Sequence, residues 1–177
     1  MLGVIHGDIK PENVLIFSEN NGHYVAKVMD FGYSTLFATD SDPITMPYSE
    51  LWTAPEQHHR GILPIQARKM DAYSFGMLCL WLLFYNKGAN RDRNFEKDLE
   101  DSQKELSNHT SELLRATADL ENREKDNMQK VFRSTLAQDP AERTANFNEP
   151  LQLLSPHRSV QLLYLKRGTN ERLEPCI

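Results

Sequence analysis

Cysteine is scarce: two residues, Cys79 and Cys176, in a chain of 177. That excludes a disulfide-dense secreted scaffold. Cys79 lies inside an apolar run and reads as a buried reduced thiol. An excess of positive charge is also missing. Twenty Lys and Arg face twenty-five Asp and Glu, a net −5 with a pI near 5.7, so the chain lacks the overall electrostatic signature of a nucleic-acid binder. No apolar run is long. The longest, FGMLCLWLLFY at residues 75–85, has eleven residues. It is too short to span a bilayer and reads as a helix buried on all sides of a soluble core. Only four apolar or small residues separate Met1 from His6, so no secretory signal is legible and an intracellular location is expected. Internal repeats and low-complexity tracts are missing too.

What remains is ordinary for one soluble domain with a tail: 40% hydrophobic and 25% charged residues, and length enough to bury a core. The chain reads in three parts. Residues 1–56 are short strands and loops. Val4-Ile5 is an apolar stub, Val14-Leu15-Ile16-Phe17 a strand, and residues 24–29 a second strand. Asn20-Asn21-Gly22 between them carries hairpin-turn chemistry. Residues 33–53, rich in Ser, Thr, Asp and Pro, read as a long functional loop. Residues 66–138 read as helices, with Asp71 as the cap of the apolar helix and Asn86, Lys87 and Gly88 at its end. From Lys87 to Asp126, nineteen of forty residues are charged. The sparse apolar residues there, Phe95, Leu99, Leu106, Leu113, Leu114 and Leu120, are spaced for amphipathic helices with one thin buried stripe, or for a partner-binding coiled coil. Met128, Val131, Phe132 and Leu136 mark a last packed helix, and residues 151–154 a further short one. The fold class is therefore mainly α with a small β-hairpin region.

The chemistry concentrates in HGDIKPENVLIF, residues 6–17, and MDFG, residues 29–32. Asp8 and Asn13 lie five apart in a loop between strands, and Asp30 follows the next strand. That arrangement brings a carboxylate, a carboxamide and a second carboxylate to one end of a small sheet, with Lys10 beside them. Oxygen donors of this kind suit Mg²⁺ shared with substrate phosphates. Asp8 can then orient a nucleophilic hydroxyl, and Lys10 can neutralise charge on a transferring phosphoryl group.

These segments resemble the catalytic loop and metal-binding segment of eukaryotic protein kinases. His6-Gly7-Asp8 is similar to the family's His-Arg-Asp, with Lys10 and Asn13 at matching offsets, and Asp30-Phe31-Gly32 to its Asp-Phe-Gly. The resemblance implies Asp8 as catalytic base, Lys10 at the γ-phosphate of ATP, and Asn13 and Asp30 as Mg²⁺ ligands. Aminoglycoside and other small-molecule kinases share a similar His-Gly-Asp…Asn, so a small-molecule phosphotransferase is an alternative. Ala54-Pro55-Glu56, twenty-four residues after Asp30, resembles the motif that closes the activation segment. Asp71 to Gly76 resembles the start of the family's central buried helix. Asp139-Pro140-Ala141-Glu142-Arg143 resembles the late motif whose arginine pairs with that glutamate, here Arg143 with Glu56. Lys10 and Ser49 are the forms carried by Ser/Thr kinases, whereas Trp52 sits where tyrosine kinases and tyrosine-kinase-like Ser/Thr kinases often carry Trp. Ser/Thr hydroxyls of a protein substrate are the favoured acceptor.

The pattern is departed from twice. The family's glycine-rich loop and strand lysine are not found before residue 6, and Lys27, within the hairpin, is no substitute. The expectation is a partial kinase domain, a C-terminal lobe over residues 1–154, followed by a tail at 155–177. A non-catalytic kinase-like binding module or an inert truncated fragment is the rival reading. Gly7 also stands where the family has an arginine that pairs with an activation-segment phosphate. Five acidic residues and no Lys or Arg lie between Asp30 and Glu56, those two included. Thr35, Thr39, Ser41, Thr45 and Tyr48 therefore have no nearby cation to dock a phosphate.

Overall fold

Helix α1 (Pro64–Phe84) links the two halves of the chain, touching the first strand on one side and a later helix on the other. In the computed structural model, residues 3–19, 24–37, 42–58, 61–85, 95–102, 106–118 and 120–154 are described. Proline at the first helical position suits the start of α1, and Gln66 Oε1 accepts the Leu63 backbone N–H at 2.9 Å, satisfying one of the terminal groups. Asp71 is not the cap expected from the sequence. It lies two turns inside the helix and is 5% exposed. Nor is the apolar run buried all round. Residues 76–80 and Phe84 are buried, but Leu82 is 47% exposed. Burial pushes the Cys79 thiol up to about 12, which keeps it an inert core group.

Strands β1 (Gly3–Ile5), β2 (Val14–Ser18), β3 (Tyr24–Val28) and β4 (Thr35–Phe37) form two separate antiparallel pairs rather than one small sheet. In the hairpin β2–β3, Val14 faces Val28 and Ser18 faces Tyr24. Its connecting turn at 20–22 lies outside the described residues. Strand β4 corrects the reading of 33–53 as one long loop: Leu36 pairs with Val4 and Thr35 with Ile5. A further bridge joins Ile44 to Ile62. Three residues of β4 are too few to give an alternating pattern strong enough to separate them from loop.

Helices α2 (Phe95–Ser102), α3 (Leu106–Ala116), α4 (Asn122–Thr135) and α5 (Asn148–Leu154) follow. The thin apolar stripe turns inward instead of forming a coiled coil. Leu99, Leu106, Leu113 and Leu114 join Met77, Leu80, Val131, Phe132 and Leu136 in one buried cluster. α1 and α4 approach closely at Gly76, where a Cβ would collide with Thr135 and Leu136. A second cluster, Ile5, Ala54, Ile62, Ala67 and Met70, is flanked by Phe37, Ile44 and Met46 and pins the 44–56 segment to α1. The expected helix end at 86–88, Cys176 and the tail at 155–177 lie outside the described residues. Among the described residues no helix is long and apolar enough to cross a membrane.

Apolar exposure is lopsided. Among the described residues, eleven of the thirteen large hydrophobic residues that stand exposed fall between Val4 and Tyr48, the remaining two being Leu82 and Leu154. Hairpin β2–β3 contributes Leu15, Ile16, Phe17, Tyr24 and Val28, so both of its faces carry exposed apolar side chains.

Candidate active site

The loop after β1 is fixed from below by a buried carboxylate. Asp71 accepts the backbone N–H of His6 at 2.7 Å and of Gly7 at 2.9 Å. Burial raises its pKa from 3.8 to about 6, against the opposing pull of those two N–H donors. His6 is buried and spans two segments: Nδ1 accepts the Asp8 N–H at 3.2 Å, and Nε2 lies 3.0 Å from the Met29 carbonyl. The first contact needs a bare nitrogen and the second a donor, so the proton sits on Nε2. The ring also meets Phe31 edge-on with centroids 5.1 Å apart. Gly7 has φ +84°, in the left-handed region that favours glycine, and a Cβ there would lie 3.3 Å from the Tyr33 carbonyl oxygen.

Asp8, 5% exposed, is the convergence point. Lys10 Nζ lies 2.8 Å from Oδ2. Asn13 Nδ2 donates to Oδ2 at 2.9 Å and to the Asp8 carbonyl at 2.8 Å. Ser49 Oγ donates to Oδ1 at 2.5 Å, and Lys10 Nζ also reaches Ser49 Oγ at 3.4 Å. Burial alone would raise the Asp8 carboxyl, but the bonds from Lys10, Ser49 and Asn13 outweigh it and hold it below its usual value. Lys10 is correspondingly raised, first by its bond to Asp8. Because the Asn13 nitrogen is spent on Asp8, its carbonyl oxygen is left as the acceptor for another group.

Asp30 stands apart from this cluster. The Met29 N–H donates to the Asn13 carbonyl at 2.9 Å, which sets Asp30 one residue beyond that junction. Asp30 is exposed, has φ +61°, and accepts the Gly32 N–H at 3.2 Å. It is near enough for its charge to help keep Lys10 protonated. Among the described residues no group of three His, Cys, Asp or Glu side chains is placed to hold a metal ion. Asn13 and Asp30 supply two oxygens, a donor set that suits Mg²⁺ only if phosphates and water complete its shell.

Further down, Arg143 forks onto Glu56, with Nη1–Oε1 at 2.6 Å and Nη2–Oε2 at 3.0 Å. The family model for the protein kinase domain matches residues 1–153. The chain belongs to the protein kinase domain family. It is 37% identical over 99 residues to the G-type lectin S-receptor-like serine/threonine-protein kinase SD2-2 of Arabidopsis thaliana, covering 55% of this chain and 12% of that protein. It is 32% identical over 113 residues to the serine/threonine-protein kinase/endoribonuclease IRE1b of the same plant, covering 59% and 12%. A probable serine/threonine-protein kinase of Dictyostelium discoideum is 30% identical over 124 residues, covering 66% and 17%. This kinase domain chain thus spans under a fifth of the length of these relatives.

Within the kinase domain, Trp52 is a packing residue. Its ring lies 6.3 Å from that of Trp81 and 5.7 Å from that of Phe95. Lys27 is on the exposed hairpin, 5.0 Å above the Phe17 ring. Thr35 lies in β4 and Thr45 and Tyr48 are on the 42–56 segment, while Thr39 and Ser41 lie outside the described residues. The sequence reading missed Thr53 and Gln57, which brace that segment. Gln57 Nε2 donates to the Pro47 carbonyl, and Thr53 bonds Ser49. A Ser with a Thr four residues later was the signal available for the second.

Proposed function

We propose that residues 1–154 are the helical C-terminal lobe of a serine/threonine-type protein kinase domain, with residues 155–177 as a tail. The reaction is transfer of the ATP γ-phosphoryl group to a protein hydroxyl with Mg²⁺. One observation carries the reading: Lys10, Asn13 and Ser49, from two separate segments, all place donors on the carboxylate of Asp8.

Asp8 is the group that orients and deprotonates the substrate hydroxyl. Its carboxylate is kept ionised by its neighbours, as a base requires. The hydroxyl oxygen attacks the γ-phosphorus, the bond to the β-γ bridging oxygen breaks, and ADP leaves with the electron pair. Lys10, now paired with Asp8, is the cation within reach of the transferring group. Asn13 and Asp30 would hold Mg²⁺, which supplies charge neutralisation on the phosphates. Ser49 belongs with this Ser/Thr form of the loop, and the packing of half-buried Trp52 against Trp81 and Phe95 accounts for that tryptophan without a tyrosine substrate.

The 42–56 segment is held by apolar and backbone contacts, Ile44 and Met46 on the Ile5–Met70 cluster and Ile44 paired with Ile62. This supports a lobe that keeps its active arrangement without a docked phosphate. The apolar side chains exposed between Val4 and Tyr48 support a covering partner, which for phosphotransfer is an N-terminal lobe. A second reading, a kinase-like module that only binds partners, draws on the same side chains.

The test is phosphotransfer from radiolabelled ATP to a generic protein by this lobe joined to an N-terminal kinase lobe. Label on serine and threonine, lost on chelating Mg²⁺, is expected. Label on tyrosine alone, or on an aminoglycoside and no protein, would replace the reading.

A further inference from the structure

The bond from Ser49 to Asp8 depends on where the Ser49 backbone is held, and that backbone sits in an unusual turn. Its carbonyl accepts three donors: Trp52 N–H at 3.2 Å, Thr53 N–H at 3.0 Å and Thr53 Oγ1 at 2.6 Å. Its own N–H is bound in return by Thr53 Oγ1 at 2.8 Å. Between them Leu51 has φ +69°, a left-handed backbone that a leucine rarely adopts. A conformation of this kind persists only where its surroundings over-determine it. The flanks are tied as well: Ser74 Oγ donates to the Trp52 carbonyl at 2.6 Å, and Gln57 Nε2 to the Pro47 carbonyl.

We propose that Thr53 is a positioning residue, whose hydroxyl closes the 49–53 turn on Ser49 and thereby delivers Ser49 Oγ to Asp8. Ser74 and Gln57 hold the two ends of the segment, but Thr53 is the side chain that grips Ser49 itself, at both its N–H and its carbonyl. Without the hydroxyl, the Ser49 N–H loses its partner and Leu51 relaxes toward negative φ. Ser49 Oγ then leaves Asp8, which keeps Lys10 and Asn13 alone. The catalytic sense of this placement rests on the phosphotransfer reading above, but the placement itself does not.

The test is hydrogen exchange on the full chain at micromolar concentration, resolved by fragmentation to single amides. In the unaltered protein the Ser49 amide is protected and opens together with the Thr53 amide. An unprotected Ser49 amide would overturn the proposal before any variant is made. Thr53→Val is expected to cost about tenfold in protection at Ser49 and at the Asp8 and Asn13 amides, one hydrogen bond to a charged group being of that order. Thr53→Ser retains protection. Ser49→Ala gives the same loss at Asp8 and Asn13, and Thr53→Val adds nothing further there in the Ser49→Ala background. Equal losses in both backgrounds, or losses spread evenly into α1, would mean that Thr53 only stabilises the fold. If Thr53→Val does not fold, Thr53→Ala enters the same cycle. Should both unfold while Thr53→Ser is native, Thr53 is a general folding residue and the proposal fails. A separate failure of phosphotransfer would leave the exchange result standing and sink the function instead.

Discussion

Arg143 and Glu56, 87 residues apart in sequence, meet through two parallel bonds of 2.6 and 3.0 Å. The Arg143 side chain is fully buried and that of Glu56 18% exposed. Its Nε donates to the Ala137 carbonyl at 2.6 Å, and its guanidinium lies 4.8 Å above the Tyr73 ring. This fork ties the end of the 42–56 segment to the turn after α4. Removing either partner leaves a buried charge uncompensated, so Arg143→Ala or Glu56→Ala is expected to cost about 3–5 kcal/mol. Arg143→Lys should recover little, because an ammonium cannot reproduce two parallel bonds. Urea denaturation of the three variants checks the order. A loss under about 1 kcal/mol in Arg143→Ala would match a surface pair and contradict this one.

Gly7 is a backbone requirement. With φ +84° and the Tyr33 carbonyl 3.3 Å from where a Cβ would stand, Gly7→Ala should cost about 1–2 kcal/mol. Gly7→Arg should cost at least as much and confer no dependence on a phosphorylated segment. Thermal unfolding of both variants is the measurement, and an unchanged or raised midpoint would count against this reading.

The buried Asp71 gives a pH signature of defined sign. Its folded value is raised from 3.8 to about 6, so the folded state binds the proton more readily than the unfolded chain. Its contribution to stability is fully present below about pH 4 and is lost as pH rises through about 6. Asp8 runs the other way. Its lowered value adds stability above the ordinary aspartate range, lost in stronger acid. Asp71→Asn should therefore flatten stability between about pH 4 and 6 while lowering it overall, since one carbonyl cannot serve both N–H groups of His6 and Gly7 as well as two carboxylate oxygens do. A slope unchanged in the variant would place the titration elsewhere.

The exposed apolar side chains of hairpin β2–β3 and of β4 should bind a hydrophobic dye in the native protein. Ile16 is 63% and Leu36 54% exposed, so Ile16→Lys with Leu36→Lys should reduce dye binding with little change in unfolding midpoint. If the midpoint collapses, these side chains are buried in solution and already covered.

Much of the site was legible because its residues are close in sequence and chemically distinctive: Asp8, Lys10 and Asn13 fall within one loop. The β2–β3 strands were legible from their apolar content, and α4 from the spacing of Met128, Val131 and Phe132. Asp71 misled because an aspartate before an apolar run is a common helix cap. Here the helix begins earlier at Pro64, and the carboxylate serves the distant His6 and Gly7 N–H groups instead. Strand β4 was hidden because its partner β1 lies far back along the chain, and three residues leave no periodic trace. The Ser49–Thr53 turn is local, and its only sign in the sequence is a Ser with a Thr four residues later.

As proposed above, Asp8 and its neighbours carry phosphotransfer once an N-terminal lobe is in place. The most direct measurement is the initial rate of γ-phosphoryl transfer to a protein substrate by the joined two-lobed protein, compared with Asp8→Asn, Asp30→Asn, Thr35→Ala and Thr45→Ala. Expected are a rate of about 1–100 s⁻¹ in the parent, a fall of at least about 10²–10³-fold in the two Asn variants, and near-parent rates in the two Ala variants. Transfer that survives Asp8→Asn, or that disappears with Thr35→Ala or Thr45→Ala, would contradict that proposal.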